Sequence, residues 1–222
     1  MEISTIKTVW AESELKQNTY VVTIGDKCLI VDAGASLEDI MPLVEGKKVE
    51  AILITHAHYD HISYIEGYET AFACPIYMHE NSAKFLIDTN LNASKFFGVD
   101  KIFNLKNVHY IKGKETLNLA GVQVKAIYTA GHSDDSICYL FEDGTIFTGD
   151  TFFSIAVGRT DLATGNPKRL IASLNQVLKL DFDTAYTGHG RVTSKQEQLT
   201  NIPKWIHILK QDLLNGDKKV EY

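Results

Sequence analysis

Cysteine is scarce in this chain: the 222 residues hold three, Cys28, Cys74 and Cys138, widely separated. Thiols at that number and spacing do not make a disulfide framework. Each lies in or near an apolar, strand-like stretch that suits a buried free thiol. Cations are outnumbered, with 22 Lys and Arg against 28 Asp and Glu for a net charge of −6. That balance argues against a polyanion as the main substrate, so no nucleic acid partner is expected. No apolar run approaches the length needed to span a bilayer. The opening Met1-Glu2-Ile3-Ser4-Thr5 lacks the basic start and apolar core of a secretion signal, so a cytoplasmic location away from membranes is the expectation. Pro-, Gly- or Ser-rich linkers, low-complexity stretches and internal repeats are also missing. With an ordinary composition, 45% hydrophobic and 23% charged, one domain over 1–222 is expected.

What the chain does have is a dense run of imidazoles, Thr55-His56-Ala57-His58-Tyr59-Asp60-His61. Three histidines and a carboxylate within six residues are hard to explain by packing and easy to explain as ligands for two metal ions. The apolar Ala51-Ile52-Leu53-Ile54 just before them reads as a buried strand, so the cluster leaves the C-terminal end of that strand. Extended backbone through His56 and His58 turns both side chains the same way, toward one metal. Adjacent Asp60 and His61 need a bend to share a second. A zinc-binding helix would instead space its two histidines four apart. Three later segments repeat the layout: strand-like runs end at Gly131-His132-Ser133, at Gly149-Asp150-Thr151 and at Gly188-His189-Gly190. A glycine before each candidate ligand suits a sharp exit from a strand and close approach of backbone to an ion.

The remaining pattern supplies a scaffold. Strands are expected at 3–8, 18–24, 27–31, 51–54, 76–78, 117–119, 122–129, 137–141, 145–148 and 184–187, with Gly25-Asp26 as a hairpin turn. A helix should begin near Ser36 and carry Leu37, Ile40, Met41 and Val44 on one face. Another should begin with Asn166 as cap and Pro167 in the first helical position. Further helices are expected at 82–88 and 202–214. Strands with interspersed helices, each with an apolar face, predict an α+β chain of two packed sheets with helices outside.

The ordered pattern HxHxDH followed by isolated His, Asp and His resembles the metallo-β-lactamase superfamily, and the match runs across residues 55–189. The resemblance implies an αββα four-layer sandwich. Carried over residue by residue, it implies that His56, His58 and His132 hold a first metal, Asp60, His61 and His189 hold a second, and Asp150 bridges both. It further implies a dinuclear hydrolase working through a metal-bridging hydroxide, with Asp60 combining ligation and proton handling. Two divalent ions are expected, zinc first, with iron or manganese as alternatives. Asp32, in Val31-Asp32-Ala33-Gly34, ends another strand; it either orients a metal-bound histidine or caps a turn.

Gly149-Asp150-Thr151-Phe152-Phe153 and Gly158-Arg159-Thr160-Asp161-Leu162 resemble the signature of hydroxyacylglutathione hydrolase-like (glyoxalase II-like) proteins of the short, single-domain type. That implies hydrolysis of a small-molecule thioester. Asp150 stands where zinc β-lactamases of the superfamily lack a bridging carboxylate, and His58 stands where its diiron flavoproteins usually carry Glu. Two departures from the family pattern stand out. Gly131-His132-Ser133-Asp134-Asp135-Ser136 replaces the common GHTPGS, and only a short tail follows His189. In that tail Arg191, Lys195 and Lys204 either meet an anionic substrate or stay as solvated surface. Arg159 and Asp161 either pair with each other or contact substrate. Tyr59, Phe152 and Phe153 flank the metals as pocket wall or as core. His79 reads as the start of a helix, and His109 and His207 as structural or surface residues. Other functions compatible with the same residues are a mononuclear iron persulfide dioxygenase, a lactone or other ester hydrolase, and a non-catalytic metal-stabilised binding module.

Overall fold

The computed structural model describes residues 1–9 and 16–215. Period-two alternation sorts its strands into two buried faces. In β3 (Lys27–Val31), Cys28 and Ile30 pack to one side and Leu29 and Val31 to the other. In β4 (Lys48–Leu53), Ile52 opposes Ala51 and Leu53 in the same way. Strands buried on both faces need a covering layer on each.

Two six-stranded sheets result. The first runs β1 (Glu2–Val9), β2 (Lys16–Ile24), β3, β4, β5 (Ile76–His79) and β6 (Val108–Ile111), antiparallel as far as β3 and parallel from β3 onward. The second runs β7 (Thr116–Leu119), β8 (Val122–Tyr128), β9 (Ile137–Phe141), β10 (Thr145–Gly149), β11 (Thr184–Thr187) and β12 (Thr193–Ser194). It is antiparallel except for the parallel pair β10 and β11.

Tyr20, Leu29, Leu53, Val124, Tyr139 and Phe147 fill the space between the sheets. Outside the first sheet, α1 (Leu37–Val44), α2 (Tyr59–Ile62), α3 (Ile65–Phe72) and α4 (Ser82–Leu86) lay Ile40, Ile62, Tyr68 and Phe85 onto Ile30 and Ile52. Outside the second, α5 (Pro167–Val177) and α6 (Lys195–Asn215) lay Leu170, Leu174 and Ile202 onto Cys138, Leu140 and Ile146. The layers are therefore αββα, as expected. Asn166 caps α5 by accepting from the Arg169 N–H at 3.0 Å, worth about 1 kcal/mol. Fully buried Leu170 and Leu174 are each worth about 1.5–3 kcal/mol. Packing holds α5 down; the cap sets where it begins.

Several elements differ from the sequence expectation, the short helices α2 and α3 among those not anticipated. β6 and the two-residue β12 were not anticipated: β6 buries only Ile111, and β12 is too short to show a period. The last helix begins at Lys195 rather than 202 and runs on through Pro203, which is exposed on the helix surface. The three cysteines are free and buried, and no described helix is long and apolar enough to cross a membrane.

Candidate metal centre

Parallel strands share a C-terminal end. β3 and β4 therefore leave the first sheet at one rim, and β10 and β11 leave the second at one rim. The Ile137 N–H donates to the Thr55 carbonyl at 2.8 Å, joining the start of β9 to the exit of β4 and bringing the two rims together. β8 pairs antiparallel with β9, as β10 does, so Gly131-His132 emerges there too. Five chain exits converge on this rim.

All seven residues expected at the metals meet at this rim. His132 Nε2 lies 2.9 Å from His58 Nδ1, and the His56 ring sits 4.7 and 4.9 Å, centroid to centroid, from those of His58 and His132. On the other side, His61 Nε2 and His189 Nε2 are 3.4 Å apart. Asp60 Oδ2 is 3.3 Å from His189 Nε2 and 3.7 Å from His61 Nε2. Asp150 stands between the two groups, its Oδ1 3.3 Å from His61 Nε2 and its Oδ2 3.6 and 3.4 Å from the Nε2 atoms of His132 and His189. Three overlapping sets have the reach to hold an ion: His56, His58 and His132; His56, His61 and Asp150; and Asp60, His61 and His189.

The donor set fits a cation. His56 Nε2 and Asp150 Oδ1 are fully buried at the centre of the cluster without a hydrogen-bond partner among the described residues, an arrangement that costs free energy unless something positive fills it. Nitrogens and oxygens in this mixture suit zinc, iron and manganese.

Three of the histidines, His61, His132 and His189, are fixed from behind. Asp32, buried at the end of β3 with φ of 64°, accepts from the Thr55 N–H at 2.8 Å, from the Thr55 hydroxyl and from His61 Nδ1 at 2.8 Å. Of its two expected roles, orienting a histidine is the one the geometry supports. His132 Nδ1 donates to the Arg159 carbonyl at 2.8 Å and His189 Nδ1 to the Lys16 carbonyl at 3.0 Å, leaving both Nε2 atoms for the centre. Gly188 packs its Cα where a side chain would collide with the Asp150 carboxylate and the His61 ring, so no larger residue fits before His189.

Asp135 was missed as a functional residue. It is buried, and it accepts from the Ala57 N–H at 2.8 Å and from the Ser82 and Ser133 hydroxyls. It thereby holds the backbone between His56 and His58. The signal in the sequence is the departure from GHTPGS at Ser133-Asp134-Asp135. Asp134 turns outward to Lys84.

Electrostatics divide the cluster. Burial depresses the His56 imidazole well below its usual range, aided by neighbouring His61 and His58. It takes His58 down to about 3 and lowers His132 as well. Those three are neutral, with lone pairs available. At His61 and His189 burial also opposes charge, but carboxylates prevail. Asp60, Asp32 and Asp150 hold His61 well above its usual value, and Asp150 with Asp60 brings His189 up to about 10. Burial pushes the two carboxyls upward, yet the same imidazoles hold Asp60 below, and Asp150 well below, the ordinary carboxylate range. In the metal-free protein, protons on His61 and His189 balance the two aspartates.

A cavity of about 390 Å³ opens onto this centre, with His58, Asp60, His132, Asp150 and His189 as its floor. Phe96, Phe97, Phe153, Val157 and Leu162 form much of the wall, together with Arg159. Arg159 and Asp161 pair bidentately at 2.6 and 2.6 Å, with the guanidinium 5.6 Å from the Phe96 ring centre. Phe153 meets the His189 ring edge-on at 5.7 Å, whereas Phe152 is fully buried against Phe182 and belongs to the core. Tyr59 stands behind the wall, packed on Phe97 and Phe103. Arg191 pairs with Glu197, Lys195 donates to the Leu178 and Leu180 carbonyls, and Lys204 is exposed; none of them lines the cavity. His79 stacks on Tyr128 and accepts from the Asn81 N–H just before α4, while His109 and His207 are exposed.

Residues 13–189 match the family model described as the metallo-beta-lactamase superfamily. A Bacillus subtilis protein named as a probable metallo-hydrolase, YqgX, is 32% identical over 184 residues, covering 81% of this chain and 87% of its own. Among solved structures, the BLEG-1 B3 metallo-β-lactamase is 27% identical with a TM-score of 0.84, covering 92% of this chain and 99% of its own. TTHA1623, solved in a di-iron-bound form, is 27% identical with a TM-score of 0.77, covering 90% and 99%.

Proposed function

The chain belongs to the metallo-β-lactamase superfamily of metallo-hydrolases, and on that premise we propose that it is a dinuclear, metal-dependent thioester hydrolase of the hydroxyacylglutathione hydrolase (glyoxalase II-like) type. The observation that carries this reading is Asp150, a carboxylate set between two complete ligand groups and facing the cavity. His56, His58 and His132 would hold one ion and Asp60, His61 and His189 the other, with Asp150 facing both groups. Two divalent ions held there would supply a water nucleophile near neutral pH and Lewis-acid polarisation of a carbonyl.

The chain's own groups do the rest. Asp60 lies on the cavity floor beside His189, where it takes up and returns a proton next to the scissile bond. Asp32 keeps the proton of His61 on Nδ1. The 158–162 loop, fastened by its Arg159–Asp161 pair and by the Arg159 carbonyl on His132, closes one side of the cavity and limits water there. Zinc is the first expectation for the metal; the di-iron form of TTHA1623 makes iron the second.

The test is thiol release from S-lactoylglutathione and a neutral thioester by protein loaded with zinc or iron, with metal content measured alongside. Two ions per chain and metal-dependent turnover are expected. Asp60→Ala or Asp150→Ala should lower it at least about 100-fold with the melting profile preserved. Full activity in either variant contradicts these roles. The likeness to a B3 metallo-β-lactamase favours lactam hydrolysis as a second reading. Turnover of a chromogenic cephalosporin faster than of any thioester would select it.

A further inference from the structure

The cavity walls bear on the substrate's chemistry. Phe96, Phe97, Phe153, Val157 and Leu162 are apolar. Arg159 is the one Lys or Arg side chain lining the cavity among the described residues, and Asp161 already engages it through both carboxylate oxygens. Within the wall, an anionic acyl group would therefore meet only a guanidinium already engaged by Asp161. Phe96 is 59% exposed, far more than an aromatic ring needs in a packed fold, and it stands in the wall with the Arg159 guanidinium over its face. A ring in that position loses water when something apolar enters. At about 390 Å³ the cavity sits at the small end of ligand pockets, roughly 300–1,000 Å³, which suits one short chain or ring.

We propose that the acyl group of the substrate is uncharged and apolar, a short aliphatic chain or an aryl group seated against Phe96, Phe153 and Leu162, rather than a small hydroxylated acid. This rests on the thioester reading above and adds the identity of the acyl part. Phe96 and Leu162 are then specificity-determining residues, and Arg159 is a positioning residue that holds Phe96 in the wall.

The experiment uses S-acyl N-acetylcysteamine thioesters, acetyl, lactoyl, butanoyl and hexanoyl, so that carrier and leaving thiol stay constant. With the metal-loaded protein, kcat/KM should rise by up to about fourfold per buried methylene from acetyl to hexanoyl, with lactoyl near acetyl. Phe96→Ala should cut the hexanoyl-to-acetyl ratio at least fivefold. A flat series, or lactoyl ahead of hexanoyl, overturns the proposal. Calorimetric binding of the unreactive thioethers S-ethyl and S-hexyl N-acetylcysteamine separates this from the hydrolase reading. S-hexyl should bind at least tenfold more tightly in the wild type and lose that margin in Phe96→Ala. Equal affinities overturn the apolar pocket even if thioesters are hydrolysed. A kept margin without thioester turnover supports the pocket and sinks the hydrolase reading instead.

Discussion

Replacing Asp32 by Asn isolates what that carboxylate does for the metal centre. Asn tolerates the φ of 64° found there as well as Asp does, so the backbone need not move. The Thr55 N–H, 2.8 Å from Oδ1, fixes how the amide must lie, because the reverse orientation would face two N–H donors at a buried position. The amide oxygen then meets Thr55, and the NH₂ meets His61 Nδ1, where the carboxylate stood at 2.8 Å. A donor at Nδ1 forces the imidazole proton onto Nε2, the atom 3.3 Å from Asp150 and 3.4 Å from His189 Nε2. The ligand atom is thereby blocked although the fold is intact. Loss of such a partner typically costs 10–100-fold in metal affinity, about 1.4–2.7 kcal/mol. Chelator competition on the purified variant measures it, and urea unfolding of the metal-free form should change by only about 1 kcal/mol. Wild-type affinity for both ions would refute the tautomer argument.

The metal-free protein should be most stable near pH 6.5 and weaken on either side. Imidazoles with folded pKa values below their unfolded value of about 6.5, His56, His58 and His132, favour unfolding as the pH falls from there toward 3. Those raised above it, His61 and His189, contribute stability that is complete below pH 6.5 and is lost as the pH climbs through about 10. Urea midpoints of chelated protein from pH 4 to 10 check this; a monotonic profile would contradict it. Asp135→Ala strips the Ala57 N–H and two buried hydroxyls of their acceptor. A loss of about 2–3 kcal/mol by urea unfolding, with weaker metal binding, is expected. An unchanged metal affinity would show that the backbone between His56 and His58 holds itself.

The site was more legible in the sequence than its supports. His56, His58, Asp60 and His61 stand out because four candidate ligands crowd one strand end, and His132, Asp150 and His189 because each follows a glycine at the end of an apolar run. The αββα layering was readable from strands such as β4, whose alternate residues are apolar on both faces. What stayed hidden was long-range. Asp135 reaches Ala57 across 78 residues and leaves no local pattern; Asp32 stands out at a strand end, but that it serves His61, 29 residues on, does not. The last helix, expected from 202, begins at Lys195 and takes Pro203 inside it on an exposed face, which the sequence does not reveal. Phe152 and Phe153 are adjacent and alike, and only the fold sends one into the core and the other to the cavity.

The two parallel pairs set where the chemistry can be. Had β10 and β11 been joined as a hairpin, Asp150 and His189 would leave from opposite ends, separated by a strand of five residues or about 17 Å. The crossovers through α1 and α5 prevent this, although neither helix contributes a ligand. The far edge of the sandwich, where the turns at 25–26 and 120–121 lie, is uncoupled from coordination. Tags, insertions or a new pair of chain ends belong at that edge.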